Sequence, residues 1–371
     1  MKMKFRFIHS YLSILILPIF PIHGQDPSAS TALDKKQALG HSLEDAKEIS
    51  SLKPSNRVFA RIDAHALSTP ESAESNITSL AAYLNETSTT DLEKARAIFV
   101  WLTKNINYDD ESFNAGTRGD NSAEGVLKNR KAVCEGFSNL YYVLGKEMSL
   151  DIQKVSGYSK GYSYRVGQKF TKTNHAWNVI KIDGQWRIFD ATWGEGSGER
   201  INSKLVSRKE FKEYWFNTNP YEAIFSHMPK DKSFLNVTPE IDLAAFEKFP
   251  NIDKGYFQLG FNGESTYKTV LENRALIFPM SYSIKAPIKA ISMPPYGHLS
   301  HKDKYDFEFF IPTATSVAIT DARNTWTYFV GDKGTFKLRY KAVLKGKFSV
   351  HVKYPESGDN SYHTILTYSV Q

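Results

Sequence analysis

The chain has 371 residues, of which 41% are hydrophobic, 13% aromatic and 23% charged, and this composition excludes a disordered or collagen-like chain. A single cysteine excludes a disulfide scaffold, and a length of 371 residues predicts two globular domains. The 47 Lys and Arg exceed the 40 Asp and Glu only modestly, without a basic run interleaved with aromatic residues, so nucleic acid is not expected as a partner.

Residues 1–24 have the composition of a secretory signal peptide, with a basic start, an apolar stretch and a cleavage point predicted after Gly24. The apolar stretch of about 12 residues is shorter than the ~20 residues that a membrane-spanning helix requires. It also contains Pro18 and Pro21. We therefore expect a secreted or periplasmic protein with no transmembrane span after leader cleavage. An uncleaved membrane anchor is the alternative.

Residues 25–54 are polar and rich in Ser, Lys and Asp, and we expect a loosely ordered leader segment there. Two amphipathic helices follow, and Thr90 with Glu93 predicts a capping box at the start of the second. A third helix is predicted to begin close to Cys134, with an apolar stripe at helical spacing. The stripe consists of Phe137, Leu140, Tyr141, Leu144 and Met148.

Three strand-like segments come next, over residues 154–158, 175–182 and 185–192. The dipeptide Asp183-Gly184 between the last two is typical of a β-hairpin turn. A two-residue loop there places Trp177 opposite Asp190. His175 and Asp190 then project from the same face as diagonal neighbours, about 7–8 Å apart at the backbone. A three-residue loop would break this geometry.

From about residue 239 the pattern changes to short strands separated by Gly, Pro, Asn and Asp, which is typical of a β-sandwich. The predicted strands cover residues 257–261, 305–311, 336–342, 348–354 and 364–370. The chain is therefore predicted to form an α+β domain over residues 55–238 and an all-β sandwich over residues 239–371.

Cys134 is the candidate nucleophile, because thiolate is the reactive form of cysteine and aligned peptide dipoles at a helix start stabilise an anion. A lone cysteine is often no more than a small buried hydrophobic residue. Here its place at a predicted loop-to-helix junction, off the apolar stripe, favours the nucleophile. The small residues Gly125, Ala132 and Gly136 nearby allow close backbone approach. An unpaired thiol in a secreted protein also calls for a functional reason.

His175 and Asp190 are the candidate partners of this thiol. Taken singly, the histidine is more often a satisfied core or surface residue, and the aspartate more often a cap or turn residue. On one face of a hairpin, however, the carboxylate can hold the imidazole tautomer while the other ring nitrogen faces the thiol. Trp177, Trp186 and Trp193 cluster around the pair, and aromatic packing explains at least two of them.

Four segments resemble the transglutaminase-like superfamily, and within it the branch of kyphoscoliosis peptidase and the related fungal cytokinesis proteins. They are ARAIFVWLTKNINYD from Ala95, KAVCEGFSNLYYVLGKEMSL around Cys134, NHAWNVIKIDGQWRIFDATWG around His175 and Asp190, and EYWFNTNPYEAIFSHMPKDKSF from Glu213. The resemblance covers roughly residues 55–238 and, more loosely, the β-rich remainder, which is immunoglobulin-like in that branch.

The resemblance implies a papain-like cysteine fold followed by an immunoglobulin-like sandwich. It implies Cys134 as nucleophile, His175 as general base and acid, and Asp190 as the residue that orients His175. His227, in the last of the four segments, is interpreted as structural.

The oxyanion contacts are less defined than the triad. The Cys134 backbone N–H at the helix start is one candidate donor, by the electrostatic logic of acyl transfer. The second donor is left open among Trp101, Asn105 and Tyr108.

These inferences predict a cysteine acyl-transfer enzyme whose thioester passes to water, as in a peptidase or amidase, or to an amine, as in protein crosslinking. The expected substrates are proteins or peptides, including cell-envelope proteins. No cofactor or metal is implied, and no calcium-binding loop is found. Four histidines of the β-rich part lack a metal-ligand spacing and are interpreted as surface residues: His298, His301, His351 and His363.

The same residues allow two alternatives to this enzyme. Arylamine N-acetyltransferases use Cys, His and Asp in the same order, but secretion and a β-sandwich argue against acetyl-CoA chemistry. The other alternative is a protein-binding or scaffolding module of the cell envelope that retains the triad without efficient turnover, since a fold alone does not determine function.

Overall fold

The computed structural model describes residues 58–371 except positions 118, 162, 163, 166, 283, 285 and 356–360. The predicted signal peptide (residues 1–24) and leader segment (residues 25–54) lie outside the described residues. In the described part of the chain, no helix combines the length and hydrophobicity that crossing a bilayer requires.

Helices dominate the described chain up to residue 150. They are α1 (Ala60–Leu67), α2 (Ile77–Asn85), α3 (Asp91–Asn105), α4 (Asp110–Ala115), α5 (Ala123–Asn129) and α6 (Cys134–Glu147). The predicted capping box is confirmed, because the Thr90 hydroxyl accepts from the Glu93 N–H and the Glu93 carboxylate accepts from the Thr90 N–H. The apolar stripe predicted for the third helix is buried along α6.

The strands of this half are β1 (Asn107–Tyr108), β2 (Lys131–Ala132), β3 (Ile152–Ser159), β4 (His175–Ile182), β5 (Gln185–Phe189), β6 (Gly196–Ile201), β7 (Lys204–Lys209) and β8 (His227–Pro229). Two short helices separate the later ones, α7 (Ala191–Glu195) and α8 (Pro220–Ala223). Strands β5, β4, β3 and β8 form one antiparallel sheet in that order. One face of this sheet packs against α6, which brings the helix start close to one end of β4.

The register predicted for the hairpin is confirmed. Ile182 pairs with Gln185 and Asn178 pairs with Phe189. This is the register that a two-residue Asp183-Gly184 loop requires, and both loop residues have the positive φ values of such a turn.

Strand β5 ends at Phe189, whereas the predicted strand continued to Thr192. The reason is the Asp190 side chain, which accepts a hydrogen bond from the Trp193 N–H and so caps α7. A capping interaction therefore competes successfully with three further residues of strand pairing. Asp190 leaves the strand but stays at its end, close to the position that the hairpin pairing assigns to it.

Between residues 239 and 279 the chain forms helices α9 (Leu243–Lys248), α10 (Lys254–Gln258) and α11 (Gly263–Glu272). The strand predicted over residues 257–261 is wrong. The neighbouring residues Tyr256 and Phe257 are both buried, which a strand with side chains alternating between two faces does not achieve against one core. The Asp253 side chain caps the helix by accepting from the Gly255 N–H.

The C-terminal part is all-β. Its strands are β9 (Met280–Ser281), β10 (Lys289–Ser292), β11 (His298–Leu299), β12 (Lys304–Phe310), β13 (Ser316–Thr320), β14 (Trp326–Tyr328), β15 (Val330–Asp332), β16 (Thr335–Lys341), β17 (Gly346–Lys353) and β18 (His363–Val370). They form two sheets, β10-β12-β16-β15 and β11-β18-β17-β13-β14, with β9 paired to β18. Buried side chains of both sheets, among them Phe307, Phe309, Phe348 and Val350, share one core. The predicted fold class, α+β followed by all-β, is confirmed, and the boundary after residue 238 stays a prediction.

A buried arginine joins distant parts of the first half. The Arg96 side chain on α3 is 2% exposed. Its guanidinium donates to both carboxylate oxygens of Asp63 on α1, at 2.7 and 2.8 Å, and to both of Glu213, at 2.6 and 2.9 Å. Because a buried charge is costly unless it is paired and hydrogen-bonded, this geometry ties α1, α3 and the segment at Glu213 together.

We expect Arg96→Ala to lower the free energy of unfolding by about 3–5 kcal/mol, because it leaves two carboxylates without their buried partner. Urea denaturation followed by circular dichroism measures this loss. Arg61→Ala is the matched control, since Arg61 is 60% exposed and forms a 3.7 Å ion pair with Glu93. That exposed pair is expected to contribute at most about 1 kcal/mol. Equal losses in the two variants would contradict the structural role given to Arg96.

Candidate active site

Cys134 is partly buried at the N-terminus of α6. It lines a cavity of about 120 Å³ that His175 also lines. The residue before the helix, Val133, makes no side-chain capping hydrogen bond. Gly136 allows the tight packing of this turn, because a Cβ there would lie 2.6 Å from the Ala132 Cβ.

The hairpin brings His175 and Asp190 together, as predicted from the register. His175 Nε2 lies 2.7 Å from Asp190 Oδ2. The side chains are 5% and 0% exposed, so the pair is shielded from water. Cys134 lines the same cavity as this imidazole and is close enough to contribute to its raised pKa. Since Nε2 faces the carboxylate, Nδ1 is the nitrogen left for the thiol.

Burial alone would lower the pKa of His175, but the Asp190 carboxylate and Cys134 outweigh burial and raise it above its ordinary range. Burial would likewise raise the pKa of Asp190, yet the His175 charge and hydrogen bonds from His175 and His227 lower it. The raised pKa of His175 and the lowered pKa of Asp190 favour the same charge state in the neutral pH range, an ionised carboxylate beside an imidazolium.

His227 also binds Asp190, which the sequence did not indicate. Its Nε2 lies 3.0 Å from Asp190 Oδ2, and its Nδ1 lies 2.8 Å from Ser226 Oγ. The contact depends on β8 pairing with β3, where His227 lies opposite Ser159. The only signal in the sequence was the histidine in the motif that resembles the kyphoscoliosis peptidase branch.

One of the three candidates for the second oxyanion donor lines the cavity of Cys134. Trp101 Nε1 donates to Glu74 at 2.9 Å, and Asn105 Nδ2 donates to the Trp101 carbonyl at 3.0 Å. Tyr108 lines the cavity, because β1 pairs with β2 and places Tyr108 opposite Ala132. Burial, followed by the nearby Cys134 charge, raises the pKa of Tyr108, so its hydroxyl keeps its proton.

Glu195 is a titratable wall residue of the same cavity that sequence reasoning missed. Its side chain is 4% exposed, and its Oε1 lies 4.0 Å from Lys209 Nζ. Burial raises the pKa of Glu195 to about 7, although Lys209 opposes the shift. The site therefore contains a carboxyl group that changes charge near neutral pH, close to the triad.

His175, Asp190 and His227 also have ligand atoms within 4.8 Å of one another, the arrangement that a metal ion could use. In the structure the Nε2 atoms of His175 and His227 both hydrogen-bond the same carboxylate oxygen, Asp190 Oδ2. A metal would have to replace those two hydrogen bonds. The arrangement therefore fits a hydrogen-bonded network better than an open set of ligands.

The raised pKa of Glu195 predicts a pH-dependent loss of stability. Below pH 4.5 the carboxyl group is neutral in the folded and unfolded chain, and between pH 4.5 and about 7 the unfolded chain releases the proton first. We therefore expect the melting temperature of the parent to fall relative to Glu195→Gln as the pH rises through this range. Thermal melts at several pH values measure the difference. Glu199→Gln, at a 56% exposed side chain on β6, is the control. A constant difference for Glu195→Gln would contradict the shift.

Part of the chain is similar to known proteins. The transglutaminase-like superfamily model matches residues 78–191. The kyphoscoliosis peptidases of Mus musculus and Homo sapiens are each 30% identical over 204 residues, which cover 55% of this chain and 30% of theirs. Cytokinesis protein 3 of Schizosaccharomyces pombe is 26% identical over 237 residues, which cover 60% of this chain and 26% of that protein. The matches thus span less than a third of the length of these relatives.

A further relative is hillarin of Drosophila melanogaster, which is 30% identical over 217 residues, covering 55% of this chain and 26% of that protein. A solved structure described as a TGase covers 43% of this chain and 40% of its own at 17% identity, with a TM-score of 0.25. Residues 78–191 therefore match the transglutaminase-like superfamily, and the chain is similar to kyphoscoliosis peptidase, hillarin and cytokinesis protein 3 over parts of their length.

Proposed function

We propose that the chain is a cysteine acyl-transfer enzyme that acts on protein or peptide substrates. Cys134 is the nucleophile, His175 the general base and acid, and Asp190 the residue that orients His175. The observation that carries the proposal is the position of His175, which is bound to a buried carboxylate at 2.7 Å and lines one cavity with the single thiol of the chain. A nucleophile, a base and an orienting group in hydrogen-bond contact are the structural signature of such chemistry.

The raised pKa of His175 supports the first step. Transfer of the thiol proton to His175 gives a thiolate and an imidazolium. The thiolate attacks the carbonyl carbon of a substrate amide and forms a C–S bond. When the tetrahedral intermediate collapses, the C–N bond breaks and His175 gives its proton to the leaving amine. The products of this half are a Cys134 thioester and a free amine.

The second half of the reaction regenerates the enzyme. Water or a primary amine attacks the thioester and gives a proton to His175, while Cys134 leaves as thiolate. Water yields a carboxylic acid, and an amine yields a new amide. The name of the kyphoscoliosis peptidases supports the hydrolytic outcome.

The Cys134 backbone N–H and the Tyr108 hydroxyl are the proposed donors to the oxyanion. The helix start contributes a favourable dipole, and the hydroxyl stays protonated because burial raises the pKa of Tyr108. Both groups belong to residues that line the cavity.

A protein or peptide substrate is supported by the shape of the site. The cavity at Cys134 adjoins a second one of about 330 Å³, and Trp193 and Gly196 line both. Two adjoining cavities provide room for an extended chain that places one of its amides at the thiol. Secretion is part of the proposal and is supported by the composition of residues 1–24.

The first test is the alkylation rate of Cys134 by iodoacetamide as a function of pH, in the full chain and in His175→Ala. We expect reaction to persist well below the free-thiol pKa of about 8.5, and to fall at least tenfold at pH 6 in His175→Ala. Since the chain has one cysteine, Cys134→Ser provides the blank. An ordinary thiol titration that His175→Ala leaves unchanged would contradict the enzyme and favour a protein-binding module.

The role of Tyr108 is tested with a peptide substrate found for the active enzyme. We expect Tyr108→Phe to lower kcat by about 10- to 100-fold with little change in KM, because an oxyanion donor acts in the transition state. Tyr328→Phe is the matched control, since Tyr328 is 57% exposed on the sandwich. An unchanged kcat in Tyr108→Phe would exclude the hydroxyl as a donor.

A further inference from the structure

Asp190 binds two imidazoles, and the proposed chemistry uses only one of them. Asp190 Oδ2 is 2.7 Å from His175 Nε2 and 3.0 Å from His227 Nε2. The side chain of His227 is 1% exposed. His175 and Cys134 line the catalytic cavity, whereas His227 lines neither that cavity nor the adjoining one. The hydrogen bond that links His227 to the catalytic residues is therefore the one to Asp190 Oδ2, the oxygen that also binds His175.

The hydrogen bonds of His227 define its tautomer. Burial lowers the pKa of His227, although Asp190 opposes the shift, so the ring is neutral at pH 7, where His175 is protonated. The Ser226 hydroxyl lies 2.8 Å from Nδ1 and can donate to it. The proton of the neutral ring then sits on Nε2 and is donated to Asp190. The ionisable groups that act on His227 are Asp190 and His175.

Three indole rings hold the His227 ring in this orientation. The ring centroids of Trp193, Trp215 and Trp177 lie 4.4, 5.0 and 5.1 Å from that of His227. An imidazole enclosed in this way cannot turn away from Asp190 without displacing an indole. The direction of its N–H is therefore defined by packing.

The two oxygens of Asp190 are both occupied. Oδ1 accepts from the Trp193 N–H at 3.0 Å, and Oδ2 accepts from the two imidazoles. Without His227, only the Trp193 N–H and His175 itself would hold the carboxylate. A carboxylate with fewer fixed donors orients its catalytic imidazole less well.

We propose that His227 is a positioning residue of the catalytic site: its Nε2–H fixes the Asp190 carboxylate and limits how strongly that carboxylate holds the His175 proton. This inference rests on the proposed function. It also replaces the purely structural interpretation of His227. The donated hydrogen bond matters here, not the volume of the ring.

Two substitutions separate the hydrogen bond from the packing. His227→Phe keeps a flat ring of similar size and removes the donor, whereas His227→Gln keeps an N–H at about the same reach and removes the ring. We expect the alkylation rate of Cys134 at pH 6 to fall about tenfold in H227F, the loss expected for one hydrogen bond to a charged group, and to stay within about threefold of the parent in H227Q. Thermal melts test whether each variant is folded.

The second readout is the titration of His175, followed by NMR. Without the His227 N–H, more negative charge stays on Asp190 and attracts the His175 proton. The pH midpoint of the His175 titration is therefore expected to rise in H227F and to stay near the parent value in H227Q. The opposite ranking, with H227F like the parent and H227Q impaired, would overturn the proposal and assign His227 to packing alone. If H227F does not fold, H227Q carries the test: an alkylation rate and a His175 midpoint near those of the parent support the donated hydrogen bond, and a departure contradicts it. If H227Q does not fold, the rise of the His175 midpoint expected in H227F carries the test.

The parent protein distinguishes failure of this inference from failure of the proposed function. If Cys134 of the parent titrates as an ordinary thiol and His175→Ala leaves it unchanged, the acyl-transfer function itself is wrong. If the parent thiol is activated by His175 and H227F leaves both its rate and the His175 midpoint unchanged, only the role of His227 is wrong.

Discussion

The buried carboxylate of Asp190 is the constraint on which the first half of the structure depends. An ionised carboxylate with 0% exposure is costly unless donors surround it. Three donors do so here, the Trp193 N–H and the Nε2 atoms of His175 and His227. They come from α7, β4 and β8, so the three elements must meet at one point for the charge to be tolerated. The same charge raises the pKa of His175, which links the stability of the fold to its proposed chemistry.

The elements that meet at Asp190 are held by interactions some distance away. Asp190 donates its backbone N–H to the Trp215 carbonyl, at 3.0 Å. Trp215 follows Glu213, which is fixed by the buried Arg96. The hydrogen bonds of one arginine thus anchor the segment that supports the carboxylate. On the other side, Met228 next to His227 belongs to the buried cluster that continues into the sandwich. The β-rich part therefore contributes to the position of β8 and its histidine.

The cavity combines three groups whose pKa values are all raised above their ordinary range, His175, Glu195 and Tyr108. His175 is held protonated by its carboxylate, while burial keeps the neighbouring Glu195 partly neutral near pH 7. Tyr108 stays protonated for the same reason of burial. A thiolate beside these groups has a cationic partner and a neutral hydroxyl donor, which is the electrostatic arrangement that acyl transfer needs. Perturbed groups that gather in one cleft are typical of functional sites.

Local sequence determined the parts of this protein that depend on short-range patterns. The capping box at Thr90, the start of α6 at Cys134 and the hairpin at Asp183-Gly184 follow from near neighbours, and the hairpin register already placed His175 beside Asp190. Only the tertiary structure decided what depends on distant elements. His227 reaches Asp190 because β8 pairs with β3, and Tyr108 reaches the cavity because β1 pairs with β2. The predicted strand at 257–261 failed because a helix buries two adjacent aromatic residues in a core that forms only when remote segments pack together.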